Sequence, residues 1–116
     1  MPASQELAII TRSYDFLIWI LGHTAKFPRS HRHGLGQRLE SHLLDFHDLL
    51  IEAKFSADKV DILRRAGLRL EQARLVVRLS KDLRLLAFGS HEHASKEFQE
   101  LSRQLAAWRR SVEKRT

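Results

Sequence analysis

Apolar side chains recur along most of this chain three and four residues apart, and no stretch alternates convincingly with period two, so the pattern predicts helices and no sheet. The prolines and glycines fall largely where this rhythm breaks: Pro28, the pair Gly34 and Gly36, and Gly89. They divide the chain into four amphipathic segments, over about 4–26, 29–55, 58–87 and 90–113. Long helices with short connections predict an all-α, antiparallel up-down four-helix bundle, with one domain over residues 1–116.

Each segment offers a core stripe. Leu7, Ile10, Tyr14, Leu17 and Leu21 share one face of the first, and Leu35, Leu39, Leu43, Phe46, Leu50 and Ala53 one face of the second. The third presents Leu63, Ala66, Leu70, Ala73 and Val77, and the fourth Ala94, Phe98, Leu101, Leu105, Trp108 and Val112. Phe27-Pro28 ends the first helix, because a residue before proline is pushed away from helical angles. Ser56 or Asp58 is expected to cap the third helix and Ser90 the fourth, each by accepting a backbone N–H bond.

The first and third helices are apolar twice. Ile9, Phe16 and Ile20 face away from the Leu7/Tyr14/Leu21 stripe, and Leu68, Leu75, Leu79 and Leu86 lie nearly opposite the core stripe of the third helix. A monomer would expose these second faces, so they are expected to form a homo-oligomer interface; the alternative is a helix central in its own bundle.

Composition adds a compartment and a class of partner. Of the 116 residues 43% are hydrophobic and 29% charged, ordinary values for a chain that buries its own core. Cysteine is absent, which excludes a disulfide, a thiolate metal site and a cysteine nucleophile. Met1 to Glu6 form no basic leader, and the apolar run Phe16 to Leu21 is far too short to span a bilayer, so a cytoplasmic protein without a membrane partner is expected. The net charge of +6 is unevenly spread: residues 1–58 carry six Lys/Arg against seven Asp/Glu, and residues 59–116 carry fourteen against seven.

Such a localised excess favours phosphate, hence RNA or DNA. Arg74, Arg78 and Lys81 fall on one stripe between the two apolar faces of the third helix, with Arg65 and Arg69 on its other flank. Repeated around a ring of subunits, the stripe would make a positive belt; alone, it is a solvated helix face. Trp108-Arg109-Arg110 sets an aromatic beside two cations, where a base could stack, although Trp108 also sits on the core seam.

Catalytic signatures are missing. There is no phosphate-binding loop, dinucleotide glycine pattern, HExxH or serine elbow, and an enzyme is not expected, nor a cofactor. His31-x-His33 and His91-x-His93 invite a metal, but residues two apart on a helix do not share a face. Asp45 with Asp48, and Glu97 with Glu100, read as ordinary outward charges, so no catalytic or metal residue is assigned.

The string from Phe27 through Pro28-Arg29-Ser30-His31-Arg32 to Leu35-Gly36-Gln37-Arg38-Leu39-Glu40 resembles a known pattern, as do Leu49-Leu50-Ile51-Glu52-Ala53, Leu75 to Leu83, and Ala106-Ala107-Trp108. It is that of the bacterial four-helix-bundle family that includes Avd, the accessory variability determinant of diversity-generating retroelements. Gly34 stands where a larger residue is usual, and Ala106-Ala107 replaces a glycine-containing pair. The resemblance implies a five-fold ring that binds RNA and DNA through a basic surface and serves a reverse transcriptase. It also implies an alternative, because related bundles are encoded within ribosomal RNA intervening sequences and have no polymerase partner. Pro28 is then a first-turn helix position, and Leu35 and Gly36 mark a close helix approach. Arg29, Arg32 and Arg38 face nucleic acid or the polymerase, or cap a neighbouring subunit's helix C-terminus.

Overall fold

A computed structural model describes residues 2–114, and helices account for most of them. Helix α1 (Ala3–Thr24) is followed by a short turn and by α2 (Arg29–His31), which passes through a π turn (Arg32–Gly36) into α3 (Gln37–Phe55). Helices α4 (Val60–Asp82) and α5 (Phe88–Glu113) complete the bundle. The four long helices run up, down, up and down, with α1 beside α3, α3 beside α4, and α4 beside α5; the α1–α5 seam that closes the square is the thinnest. The result is a rod of 46 × 23 × 19 Å.

The core stripes of α3, α4 and α5 are those the spacing predicts. Leu39, Leu43, Phe46 and Leu50 meet Leu63, Ala66, Leu70 and Val77, and Phe98, Leu101, Leu105 and Trp108 close the core from the other side. Burial of this apolar area is what holds the helices together. The fully buried Trp108 and Phe98 each contribute several kcal/mol, since truncating such side chains to alanine costs about 3–5 kcal/mol.

Helix α1 departs in part from the expected face: Leu17 is buried and Ile10 packs against the core as expected, but the rest of the face is rotated. Ile9, Phe16 and Ile20, expected at an oligomer interface, are buried in this chain's own core, whereas Leu7 and Tyr14 are more than half exposed. The reason lies in two hydroxyls. The buried face of α1 also carries Ser13 and Thr24, which a purely apolar reading penalises, but both find partners on α3. The Ser13 hydroxyl lies 2.8 Å from the Ile10 carbonyl and shares a hydrogen bond with the His47 Nδ1 at 2.6 Å. Thr24 donates to the Glu40 carboxylate. Leu86 is likewise buried, past the end of α4, so of the expected interface residues only Leu68, Leu75 and Leu79 stay outside.

Helix ends differ from the expected caps. Neither Ser56 nor Asp58 caps α4; instead the Lys59 ammonium reaches back to the carbonyls of Ala53, Lys54 and Ser56, neutralising the C-terminal dipole of α3. Ser90 lies inside α5, which begins at Phe88 after an extended Ala87, and Gly89 belongs to its first turn. Pro28 stands one residue ahead of α2. Helix α4 stops at Asp82 rather than Ala87, because Arg84 adopts φ 63° and the Leu85 and Arg84 amides bond back to Ser80 and Lys81. This is a Schellman closure built without its usual glycine, and spacing alone does not reveal it.

The π turn brings Gly36 against the end of α1, where an added Cβ would stand 3.4 Å from Phe27 and 3.6 Å from Thr24, in ordinary contact, so a methyl fits there and a larger side chain does not. Around Gly34 the space is open.

Two substitutions check these points. Arg84→Gly should stabilise the chain by roughly 1 kcal/mol by relieving a left-handed non-glycine residue, seen as a thermal midpoint a few degrees higher. Gly36→Leu should cost about 1–3 kcal/mol by overpacking, while Gly36→Ala stays within about 1 kcal/mol, both measured by urea unfolding.

Candidate nucleic-acid interface

The basic residues sort into groups once the helices are packed. The largest group lines the furrow between α4 and α5. Its one widening, about 480 Å³, is bordered by Arg74, Arg78, His91, Ser95, Phe98 and Gln99. The other, about 400 Å³, is bordered by Arg64, Gly67, Glu71, Ser102 and Arg109 among others. Arg64, Gly67, Glu71, Arg74 and Arg78 follow one line along α4 at intervals of three and four, so each helical turn of about 5.4 Å presents another group to the furrow. Gly67 keeps its middle open: a Cβ there would approach Leu105 at 3.5 Å and the Arg109 guanidinium at 4.0 Å.

Four guanidinium groups therefore border a furrow whose lining includes a single carboxylate, Glu71, which bonds Arg74 at 3.5 Å. The Arg74 guanidinium also lies 5.7 Å from the Phe98 ring, which holds it over the seam. Arg78 has no carboxylate partner among the described residues. Lys81 continues the line toward the α4–α5 turn and pairs with Asp82 at 3.6 Å.

Arg65 and Arg69 project to the opposite flank, toward α3, where carboxylates answer them. Arg65 approaches Glu52 of α3 at 3.9 Å and bonds Asp61 of its own helix at 3.1 Å, which Arg64 also bonds at 2.9 Å, and Arg69 approaches Asp45 of α3 at 3.7 Å. Arg38 belongs to this α3–α4 face as well. Burial chiefly, then the positive charges of Arg38 and Arg69, hold the His42 pKa below its ordinary 6.5, with Asp45 opposing.

Arg29 and Arg32 are exposed at the start of the second helical stretch, at the same end of the bundle as the α4–α5 turn with Arg84. Arg110 is on the exposed side of α5, apart from Arg109. Trp108 is buried in the core, which removes it as a stacking platform beside these arginines.

The ten arginines and lysines singled out by sequence thus do not form one surface: Arg74, Arg78 and Arg109 share the furrow, and the others are distributed over the α3–α4 face, the basic end and the outer side of α5. Arg64 and His91 are furrow residues that charge counting passed over. The signal for Arg64 was present in its register with Gly67 and Arg74.

The histidine pairs part. His91 lines the furrow, whereas the His93 ring lies 4.7 Å from Trp19 on α1, with His23 on the same indole at 3.9 Å. Among the described residues no group of three or more His, Asp or Glu is placed to hold a metal ion. The carboxylate pairs part too: Glu97 receives a two-pronged bond from Arg12 at 2.9 Å, which keeps Arg12 charged, and Glu100 is engaged by Arg103. No helix is long and apolar enough to cross a membrane among the described residues.

A family model described as bAvd-like matches residues 7–112, from the first turns of α1 almost to the end of α5. The chain belongs to the bAvd-like family. Neither the curated proteins nor the solved structures contain a match to it. Within the bAvd-like family model lie α3 and α4 whole, most of α1 and α5, and the furrow with both of its widenings.

The depressed His42 pKa has a stability consequence. The folded state binds its proton less readily than the unfolded state, so this contribution is fully present above about pH 6.5 and is lost as pH falls toward the folded pKa. Urea midpoints followed from pH 7.5 to 5.5 should fall more steeply for the natural chain than for His42→Gln.

Proposed function

We propose that this chain is a non-catalytic accessory subunit that holds nucleic acid in the α4–α5 furrow for a partner reverse transcriptase, as in a diversity-generating retroelement, and that it works as a ring-shaped homo-oligomer. The observation that carries the reading is the convergence of Arg64, Arg74, Arg78 and Arg109 on one open furrow in a member of the bAvd-like family. Guanidinium groups spaced along a helix suit a chain of phosphates, because each neutralised phosphate releases counterions and no base needs to be read. The furrow carries no exposed aromatic ring, since Phe98 is fully buried, so the grip is on the backbone and is indifferent to sequence. Arg65 and Arg69 contribute less, because Glu52 and Asp45 of α3 already face them, whereas Arg64 and Arg74 pair with Asp61 and Glu71 of their own helix.

Membership in the family supports the polymerase partner and the ring. Template RNA and the complementary DNA made from it are the nucleic acids such a partner would present. The chemistry belongs to the polymerase; the furrow positions its substrate.

Retention on single-stranded RNA should fall steeply with salt, and Arg74→Glu/Arg78→Glu/Lys81→Glu should lower affinity by at least about tenfold and the salt slope by roughly two to three. Arg65→Gln/Arg69→Gln should change both less. Circular dichroism and light scattering should stay as in the natural chain. Unchanged affinity in the triple variant would remove the furrow from the binding surface, and failure of a co-expressed retroelement reverse transcriptase to co-elute would remove the partner.

A further inference from the structure

Two phenylalanine rings stand almost free in solvent, Phe55 at 79% and Phe88 at 71% exposure. A single exposed apolar side chain is ordinary, so exposure alone decides nothing and position must. Phe88 opens α5 at the α4–α5 turn. Ser95 and Gln99 follow it by seven and eleven residues, close to two and three full helical turns, and both border the furrow, as does His91. Phe88 therefore continues the α5 wall of the furrow to its end, about 4.5 Å beyond His91 along the helix axis.

The charges around the two rings differ. Arg78, Lys81 and Arg84 lead along α4 and its closing turn toward Phe88, and neither Arg78 nor Arg84 has a carboxylate partner among the described residues. Phe55 closes α3 at the opposite end of the bundle, which it shares with Asp58 and Asp61, and the Lys59 ammonium there is committed to the carbonyls of Ala53, Lys54 and Ser56. A phosphate chain is drawn to the first ring and not to the second. Arg84 adds an independent sign. It holds φ 63°, a conformation in which glycine would be more stable, and what glycine would forfeit there is a cation at the end of the furrow.

We infer that Phe88 is a stacking platform for an unpaired base of the nucleic acid whose phosphates lie in the furrow, so that the chain holds single strands in preference to duplex. This rests on the furrow reading of the proposed function and deepens it by naming the form of nucleic acid. The furrow itself offers no ring, because Phe98 is buried, and a grip on phosphates alone would accept single strand and duplex alike. A flat ring at its end takes the face of a base only when that base has left its pairing partner. Stacking tolerates any base, since each has a π face, so the strand is selected by form and not by sequence.

Fluorescence anisotropy with a short unstructured RNA, and with an RNA duplex of the same length, tests the platform. Phe88→Leu keeps apolar bulk and removes the ring. It should weaken single-strand binding by at least about fivefold and leave duplex binding and the salt slope unchanged, because no phosphate contact is lost. Phe88→Tyr should bind as the natural chain does, and so should Phe55→Leu. Arg84→Gly should be the more stable protein and yet the weaker binder, with a salt slope lower by about one. Full single-strand affinity in Phe88→Leu, an equal loss on duplex, or an equal loss in Phe55→Leu would overturn the platform. Loss of reverse-transcriptase co-elution from Phe88→Leu at unchanged RNA affinity would overturn it too, and would give the ring to a protein partner. Arg74→Glu/Arg78→Glu/Lys81→Glu keeps the two readings apart. If it loses affinity and Phe88→Leu does not, the furrow stands without the platform; if it keeps full affinity, the furrow reading falls and the platform with it.

Discussion

The pairing of two buried hydroxyls across the α1–α3 seam decides which way the first helix faces, and much of the surface follows from that choice. Ser13 and Thr24 cost free energy in an apolar interior unless bonded, and His47 and Glu40 on α3 are positioned to bond them. Turning α1 by half a revolution would bury Leu7 and Tyr14 and expose Ile9, Phe16 and Ile20, but would also break both polar contacts. With the seam satisfied, Leu7, Tyr14 and Ile18 are left outside. The exposed apolar face of α1 is thus the counterpart of a polar match inside.

Helix α4 is the other organising element. It packs against both α3 and α5, and four kinds of side chain divide its circumference. Leu63, Ala66, Leu70, Ala73 and Val77 go inward, and Leu68, Leu75 and Leu79 point out. Arg65 and Arg69 lean toward the acidic α3, while Arg64, Arg74 and Arg78 lean toward α5. Helix α5 carries four Lys/Arg and four Asp/Glu, so the positive character of the furrow comes chiefly from α4. The positive character of the furrow is therefore set largely by one flank of α4, while the opposite flank meets the carboxylates of α3.

Several features were legible in the residues alone. Three-and-four spacing predicted the long helices and the core stripes of α3, α4 and α5, because burial of one face is what makes an amphipathic helix fold. Trp108 was open between a core and a stacking role, and its seam position agrees with the buried outcome. Helix ends were less legible. Arg84 closes α4 in a conformation usually left to glycine, and Lys59 caps backward onto α3 instead of a hydroxyl capping forward, so neither leaves the expected local sign.

What the sequence by itself determined is therefore the period of the helices, their approximate extents, the basic excess of the second half and the two-faced apolarity of α1 and α4. Only the tertiary structure decided which α1 face is buried, because a hydroxyl's cost depends on a partner more than thirty residues away in the case of Ser13 and His47. Only packing, likewise, separated Arg74 and Arg78 from Arg65 and Arg69. Periodicity records where a side chain points around its own helix, whereas pairing and exposure depend on what the adjacent helix brings to meet it.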